Sequence, residues 1–225
     1  RVPQAGPSPL PAAGSAGRLL REMGACGRSG RWARALLLLS ELAGLSTARV
    51  PCSPALDAAC RACAAGAQWA WAVRLLGELL TANAAPSAAA LGATVSACER
   101  TGRWQQALHV LAISHAAGAP LDVAMVSAAI SSCARAGRWD WALRLLGRMR
   151  HGPESVRPNA VSYNAAIAGC CRTGRWRWAL HLLGAMRAEC LAPDAFSFNG
   201  TISACERSGS WRRPLALLAE MRRSA

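Results

Sequence analysis

A tryptophan recurs along this chain at a nearly constant interval, and this repeat constrains the fold more than any other feature. The copies are Trp32, Trp69, Trp104, Trp139, Trp176 and Trp211, with steps of 37, 35, 35, 37 and 35 residues. A cysteine lies six residues before each: Cys26, Cys63, Cys98, Cys133, Cys170 and Cys205. A period of this length is typical of proteins built from stacked repeats, in which each repeat packs only against its neighbours.

Each copy predicts two helices. After the tryptophan, apolar residues return at helical spacing, which in the fourth copy gives Trp139, Ala142, Leu143, Leu145, Leu146 and Met149. A glycine two residues before the tryptophan, replaced only by Ala67, suits the left-handed position that ends a helix. Copies close with proline and a short polar residue, as in Pro86-Ser87, Pro158-Asn159 and Pro193-Asp194. These pairs stop one helix and cap the next, and no segment has a strand pattern, so we expect an all-α fold.

Two copies resemble a known repeat family. They open Val-Ser-Tyr-Asn-Ala-Ala-Ile (161–167) and Phe-Ser-Phe-Asn-Gly-Thr-Ile (196–202), and the first closes Leu-Ala-Pro-Asp (191–194). These segments resemble pentatricopeptide repeats of the P type, and their residue pattern is similar to that of algal and dinoflagellate versions. The resemblance covers about residues 16–225 and implies a right-handed α-solenoid of about six helix-turn-helix repeats of 35–37 residues. The repeats are 16–52, 53–87, 88–122, 123–159, 160–194 and the incomplete 195–225.

Tetratricopeptide repeats are the main alternative, because they share the helix pair and bind peptides. Their period is 34 residues and their tryptophan and glycine motif falls in the first helix. Here the tryptophan opens the second helix and no step is 34 residues. The sequence therefore favours the pentatricopeptide family.

The charge of the chain indicates a polyanionic partner. The formal net charge is +14, and all 26 basic residues are arginine, whose planar guanidinium suits phosphate. Residues 1–15 are rich in proline, alanine and serine and contain no acid. They are either the tail of an organelle transit peptide or a disordered leader without a function. Together with the resemblance, they suggest a chloroplast location, with the mitochondrion as the alternative.

The resemblance implies a single-stranded RNA-binding role in which each repeat reads one base. The reading side chains lie twelve residues before the tryptophan and at the close of the repeat. In the fifth copy they are Asn164 and Asp194, a pairing associated with uracil and less with cytosine. In the fourth they are Ser127 and Asn159, associated with adenine, and in the third Gly92 and Asp122, which hints at guanine. In the sixth copy Asn199 holds the first of the two positions. Val161 and Phe196 occupy the base-stacking position. Asn, Asp and Ser also favour helix starts whatever the function, so a purely structural interpretation stays open.

An arginine lies four residues before the tryptophan in five copies. The row includes Arg100, Arg135, Arg172 and Arg207, which we expect to follow the RNA phosphates. The alternative is that these arginines complement the dipole at the end of a helix. A second row in the interhelix turn, which includes Arg138 and Arg175, is expected to be simply solvated.

The sequence predicts no catalytic site, cofactor, metal site, membrane span or small-molecule substrate. Cys60 and Cys63 have the spacing of half a zinc site, but no second pair accompanies them. The longest uncharged stretch, residues 79–98, is interrupted by polar residues and proline. The predicted role is sequence-selective RNA binding in organelle RNA processing, stability or translation. A protein-binding scaffold using the same face, with protein partners in place of RNA, and a non-catalytic piece of a larger enzyme are the alternatives.

Overall fold

The computed structural model describes residues 13–45, 53–81, 86–119, 121–152 and 156–209. Within these ranges it contains eleven α-helices and no strand, which confirms the predicted all-α helical-repeat fold. The helices are α1 (Ala13–Ser29), α2 (Trp32–Leu45), α3 (Ser53–Ala65), α4 (Trp69–Thr81), α5 (Ala88–Arg100), α6 (Trp104–Ala116), α7 (Val123–Arg135), α8 (Trp139–His151), α9 (Ala160–Arg172), α10 (Trp176–Ala188) and α11 (Ala195–Arg207). Residues 1–12 of the predicted leader and Trp211 lie outside the described residues. Helix α1 begins at Ala13, within the range predicted as leader.

The chain divides into two compact units, Arg1–Ala93 and Thr94–Ala225. In the first unit, α3 packs against α1, α2 and α4. Its buried side chains include Met23, Leu38, Leu56, Leu76 and Leu79. The first helices of two successive repeats, α1 and α3, are therefore in direct contact, as expected for stacked helix pairs.

The second unit repeats this arrangement over more helices. The first helices of its repeats lie side by side, with α9 packed against both α7 and α11. The second helices pack behind them, α8 against α7 and α9, and α10 against α9 and α11. Tyr163 and Ile167 on α9 are fully buried at the centre of this packing. The site described below lies on the layer of first helices.

A recurring turn explains why glycine returns two residues before the tryptophan. The glycine two residues before it has a positive φ in each described copy that carries one, for example 71° at Gly137. The next N–H, on Arg138, donates to the Cys133 carbonyl oxygen at 2.9 Å. This six-to-one bond is the Schellman ending of a helix. The six repeated cysteines are all buried, and burial raises the pKa of the Cys133 thiol to about 11.

In the second copy, Ala67 occupies the turn position that is glycine in the other copies. It has a φ of 56°, where a Cβ is strained. We expect Ala67→Gly to raise the free energy of unfolding by about 0.5–1 kcal/mol, measured by thermal or urea unfolding. Gly137→Ala is the matched control and should destabilise by a similar amount, since a Cβ there meets only a Thr173 methyl at 3.9 Å and strain alone operates. Shifts of the same sign in both variants contradict this account.

The five repeated tryptophans from Trp32 to Trp176 are half-buried, because each begins a second helix at the edge of its repeat. Trp104 is covered by the following repeat: the Arg138 guanidinium lies 4.9 Å from its ring centroid, and the Trp141 ring lies 6.4 Å away. Trp139 has the same two neighbours one repeat later, namely Arg175 at 5.0 Å and Trp178 at 6.4 Å. Arg138 and Arg175 are exposed, as expected, but solvation is not their only role. Both stack on a tryptophan and join neighbouring repeats.

Candidate functional site

A groove of about 800 Å³ lies on the layer of first helices in the second unit. Helices α7 and α9 form most of its wall, and side chains from the last part of α5 and the start of α11 complete it. Eight of the residues predicted from the sequence line it: Asp122, Ser127, Arg135, Asn159, Val161, Asn164, Arg172 and Phe196. These eight residues therefore share one surface.

Asn164 and Asp194 are in direct contact, although 30 residues separate them in the sequence. The Asn164 side-chain amide donates to both carboxylate oxygens of Asp194, at 3.2 and 3.1 Å. Asn164 lies in the second turn of α9, and Asp194 is the N-cap of α11. The end of one repeat therefore contacts the first helix of that same repeat.

Asp194 also closes a capping box with Ser197. Its carboxylate accepts the Ser197 backbone N–H at 2.8 Å, and its own N–H donates to the Ser197 hydroxyl at 3.3 Å. Partial burial raises the pKa of Asp194, but the hydrogen bonds from Ser197 and Asn164 outweigh it and hold that pKa below its usual value. The carboxylate is therefore ionised at neutral pH and serves as an acceptor only.

The second predicted pair, Ser127 and Asn159, lines the same groove but behaves differently. Asn159 is the N-cap of α9 and forms a capping box with Ser162. Ser127 is only 4% exposed, and its hydroxyl has no hydrogen-bond partner. A buried hydroxyl without a partner costs stability, and because this oxygen is itself buried, Ser127 presents no exposed hydrogen-bonding group to the groove.

The third pair falls across the two compact units and is described residue by residue. Gly92 lies on α5 in the first unit, where a Cβ would meet no atom within 4 Å. Asp122 is the exposed N-cap of α7 and accepts the Ala124 N–H at 3.3 Å. In the sixth copy, Asn199 is exposed on α11. In the second copy the equivalent residues are also in contact, with the Ser87 hydroxyl donating to Oδ1 of Asp57 at 2.6 Å.

Val161 and Phe196 present apolar surface at the groove. They are 62% and 60% exposed, respectively, and both line the groove. Each occupies the second position of a first helix, two residues after its N-cap. Exposed apolar groups beside hydrogen-bonding groups suit a flat, polar-edged ligand.

The predicted arginine row lies at the other end of the same helices. Helices α5, α7, α9 and α11 end at Arg100, Arg135, Arg172 and Arg207, and all four side chains are exposed. On α9, Arg172 follows Asn164 by eight residues, which is about 12 Å along a helix. Glu99 and Asp122 also line the groove, so its charges are mixed and the positive row is local to the helix ends. That position equally suits the helix dipole, and the structural interpretation of the row stays open.

Sequence analysis missed Ser162 and Ser197. Each lies three residues after an N-cap, a spacing that signals a capping box. That spacing was present in Asn159-Ala-Val-Ser162 and Asp194-Ala-Phe-Ser197. No described helix is long and apolar enough to cross a membrane, and no group of three metal-ligating side chains occurs in the described part of the chain.

Family models match the C-terminal part of the sequence. The model described as the PPR repeat family, for pentatricopeptide repeat, matches residues 158–207, and the model described as the PPR repeat matches 124–151 and 196–224. No curated protein matches the chain.

Solved structures share the fold. The pentatricopeptide repeat protein PPR10 from maize is 24% identical with a TM-score of 0.75, and the match covers 92% of this chain and 29% of that one. The same protein with an 18-nt psaJ RNA element matches with a TM-score of 0.65, 24% identity and coverage of 92% and 34%. The PPR domain of Arabidopsis thaliana protein-only RNase P 1 in complex with tRNA is 14% identical, with a TM-score of 0.62 and coverage of 72% and 85%. The chain spans about a third of the length of PPR10.

Proposed function

The chain is a pentatricopeptide repeat protein, and on that premise we propose that it binds single-stranded RNA in the groove formed by α7, α9 and the start of α11. The observation that carries the proposal is the contact between Asn164 and Asp194. Asn164 lines the groove together with the exposed Val161 and Phe196, and the contact holds the carboxylate of Asp194 against it. The edge of a base can bond to Asn164 and Asp194, and its face can stack on Val161 or Phe196.

Each part of a nucleotide has a partner of the right chemistry. A base fits between Val161 and Phe196, which lie on successive first helices, and stacking of this kind is worth about 1–3 kcal/mol per base. The base edge then faces Asn164 and Asp194. The phosphates are neutralised by the row that includes Arg135 and Arg172. Two solved structures with this fold contain RNA, PPR10 with an 18-nt element and protein-only RNase P 1 with tRNA, and these complexes support the proposal.

Fluorescence anisotropy tests the proposed partner. The 225-residue chain is titrated with a randomised single-stranded RNA pool, with double-stranded RNA and with single-stranded DNA, each at two salt concentrations. We expect single-stranded RNA to bind best. Equal binding of all three would mean that the chain binds nucleic acid only through the positive charge of its surface. Absence of binding at low salt would overturn the proposal in favour of a protein-binding scaffold.

Exchanging the two N-cap residues tests base reading. Asp194→Asn and Asn159→Asp both keep a good N-cap, so stability should change by less than about 0.5 kcal/mol. Each changes the charge and the donors of one reading pair. Selection from a randomised RNA pool, followed by sequencing, should show an altered preference at one base for each variant, and at different bases for the two. The double variant keeps the net charge of the chain and should alter both positions. Unchanged base preferences in all three variants would contradict a base-reading role for Asn159 and Asp194.

Sequence-selective action in organelle RNA processing, stability or translation is the finer form of the proposal. It is supported by the resemblance and by the acid-poor residues 1–15. Immunodetection in purified chloroplast and mitochondrial fractions tests the location, with the chloroplast expected. Detection only outside both organelles would contradict it.

A further inference from the structure

Ser197 touches the reading pair in a way that a helix cap does not require. Its hydroxyl lies 2.6 Å from Oδ1 of Asn164 and 2.8 Å from Oδ1 of Asp194. It also accepts the Asp194 N–H at 3.3 Å and lies 3.7 Å from the sulfur of Met186. Ser197 is fully buried, so water does not compete for these contacts.

These contacts fix which way the Asn164 amide faces. Asp194 is ionised and only accepts, so the amide nitrogen of Asn164 must point to it. The Ser197 hydroxyl, whose single hydrogen is shared between the two nearby oxygens, donates to the amide oxygen. A reversed amide would place its oxygen against the carboxylate and its nitrogen against the donor. Asp194 and Ser197 therefore favour the same orientation and oppose the other.

The preceding repeat has the same cap without this contact. Ser162 closes the capping box on Asn159, with the Ser162 N–H donating to Asn159 Oδ1 at 3.0 Å and the Asn159 N–H donating to Oγ of Ser162 at 2.8 Å. The reading side chain there is Ser127, whose hydroxyl has no hydrogen-bond partner. Ser162 is thus a cap alone, whereas Ser197 is a cap that also holds a reading side chain.

We infer that Ser197 is a positioning residue that makes the Asn164 and Asp194 pair discriminate between the two pyrimidines. This inference rests on the proposed function. Uracil and cytosine exchange donors and acceptors along the edge that a reading amide meets. An amide free to turn over accommodates either edge, and an amide held in one orientation accommodates only one. The hydroxyl of Ser197 supplies part of that hold.

The test compares Ser197→Ala with Ser162→Ala, because both remove the same capping interaction. Asp194→Asn first identifies the base position that this pair reads in RNA selected from a randomised pool. Two single-stranded RNAs that differ only in uracil or cytosine at that position are then titrated against each variant. Ser197→Ala should reduce the ratio of the two affinities by about three- to tenfold, the size of one hydrogen bond. Ser162→Ala should leave that ratio unchanged.

Thermal unfolding of both variants checks that they fold, and Ser197→Thr, which restores a hydroxyl, should recover the ratio. An equal ratio in Ser197→Ala and the wild-type chain overturns the inference and leaves base reading intact. RNA binding without pyrimidine discrimination in the wild-type chain overturns both the inference and base reading. Absence of RNA binding removes the proposed function itself.

Discussion

Replacing Arg135, Arg172 and Arg207 together with glutamine is expected to lower the affinity for single-stranded RNA by about 10- to 100-fold at low salt. The three side chains are exposed and occupy the last position of α7, α9 and α11. If each neutralises one phosphate, the slope of log affinity against log salt should become shallower by about 2. The loss should be similar for all RNA sequences, because phosphates carry no base information. Anisotropy titrations over a series of salt concentrations measure both quantities.

A second triple variant controls for net charge. Arg144, Arg157 and Arg177 are exposed and do not line the groove. Their replacement by glutamine lowers the net charge of +14 by the same three units. We expect only a small loss of affinity and an almost unchanged salt slope. Equal losses in the two triple variants would mean that the arginines at the helix ends act through overall charge alone, and their position would then reflect the helix dipole.

The periodic part of the fold was predictable because it depends on contacts within one repeat. The positive-φ residue of each described turn and the cysteine carbonyl that accepts the Schellman bond lie on the same short segment, as Gly137 and Cys133 do. Local backbone geometry decides such features, and local sequence encodes it. The N-caps Asn159 and Asp194 were predictable for the same reason.

Contacts between repeats were harder to predict. The hydrogen bond from Ser197 to Asn164 spans 33 residues, and the stacking of Arg138 on Trp104 depends on how one helix pair is turned against the next. Periodicity predicts that repeats stack, but not the rotation between them. The unpartnered hydroxyl of Ser127 has no sequence signal either, because a serine on an inner helix is ordinarily expected to bond a backbone carbonyl.

Replacing Phe196 with alanine is expected to weaken RNA binding without weakening the fold. Its ring is 60% exposed and lines the groove, so little of its surface is lost from a core when it is removed. Loss of one stacking partner should cost about 1–3 kcal/mol of binding free energy, which is about 5- to 150-fold in affinity. Val161→Ala should have a smaller effect of the same kind, because valine offers less surface than a ring. Anisotropy gives the affinities, and thermal unfolding should give a midpoint close to that of the wild-type chain.

Phe198 provides the matched control, since the chain contains only these two phenylalanines and they lie two residues apart on α11. Phe198 is 2% exposed and packs with Leu183 and Ile202. Phe198→Ala should therefore destabilise the chain by about 3–5 kcal/mol, through lost burial and a cavity. RNA binding by the fraction that remains folded should keep its base preferences. Comparing the two variants therefore separates the role of α11 in the groove from its role in the core. A Phe196→Ala variant that loses stability and keeps its affinity would assign both rings to the fold, and the groove would then lack its stacking surface.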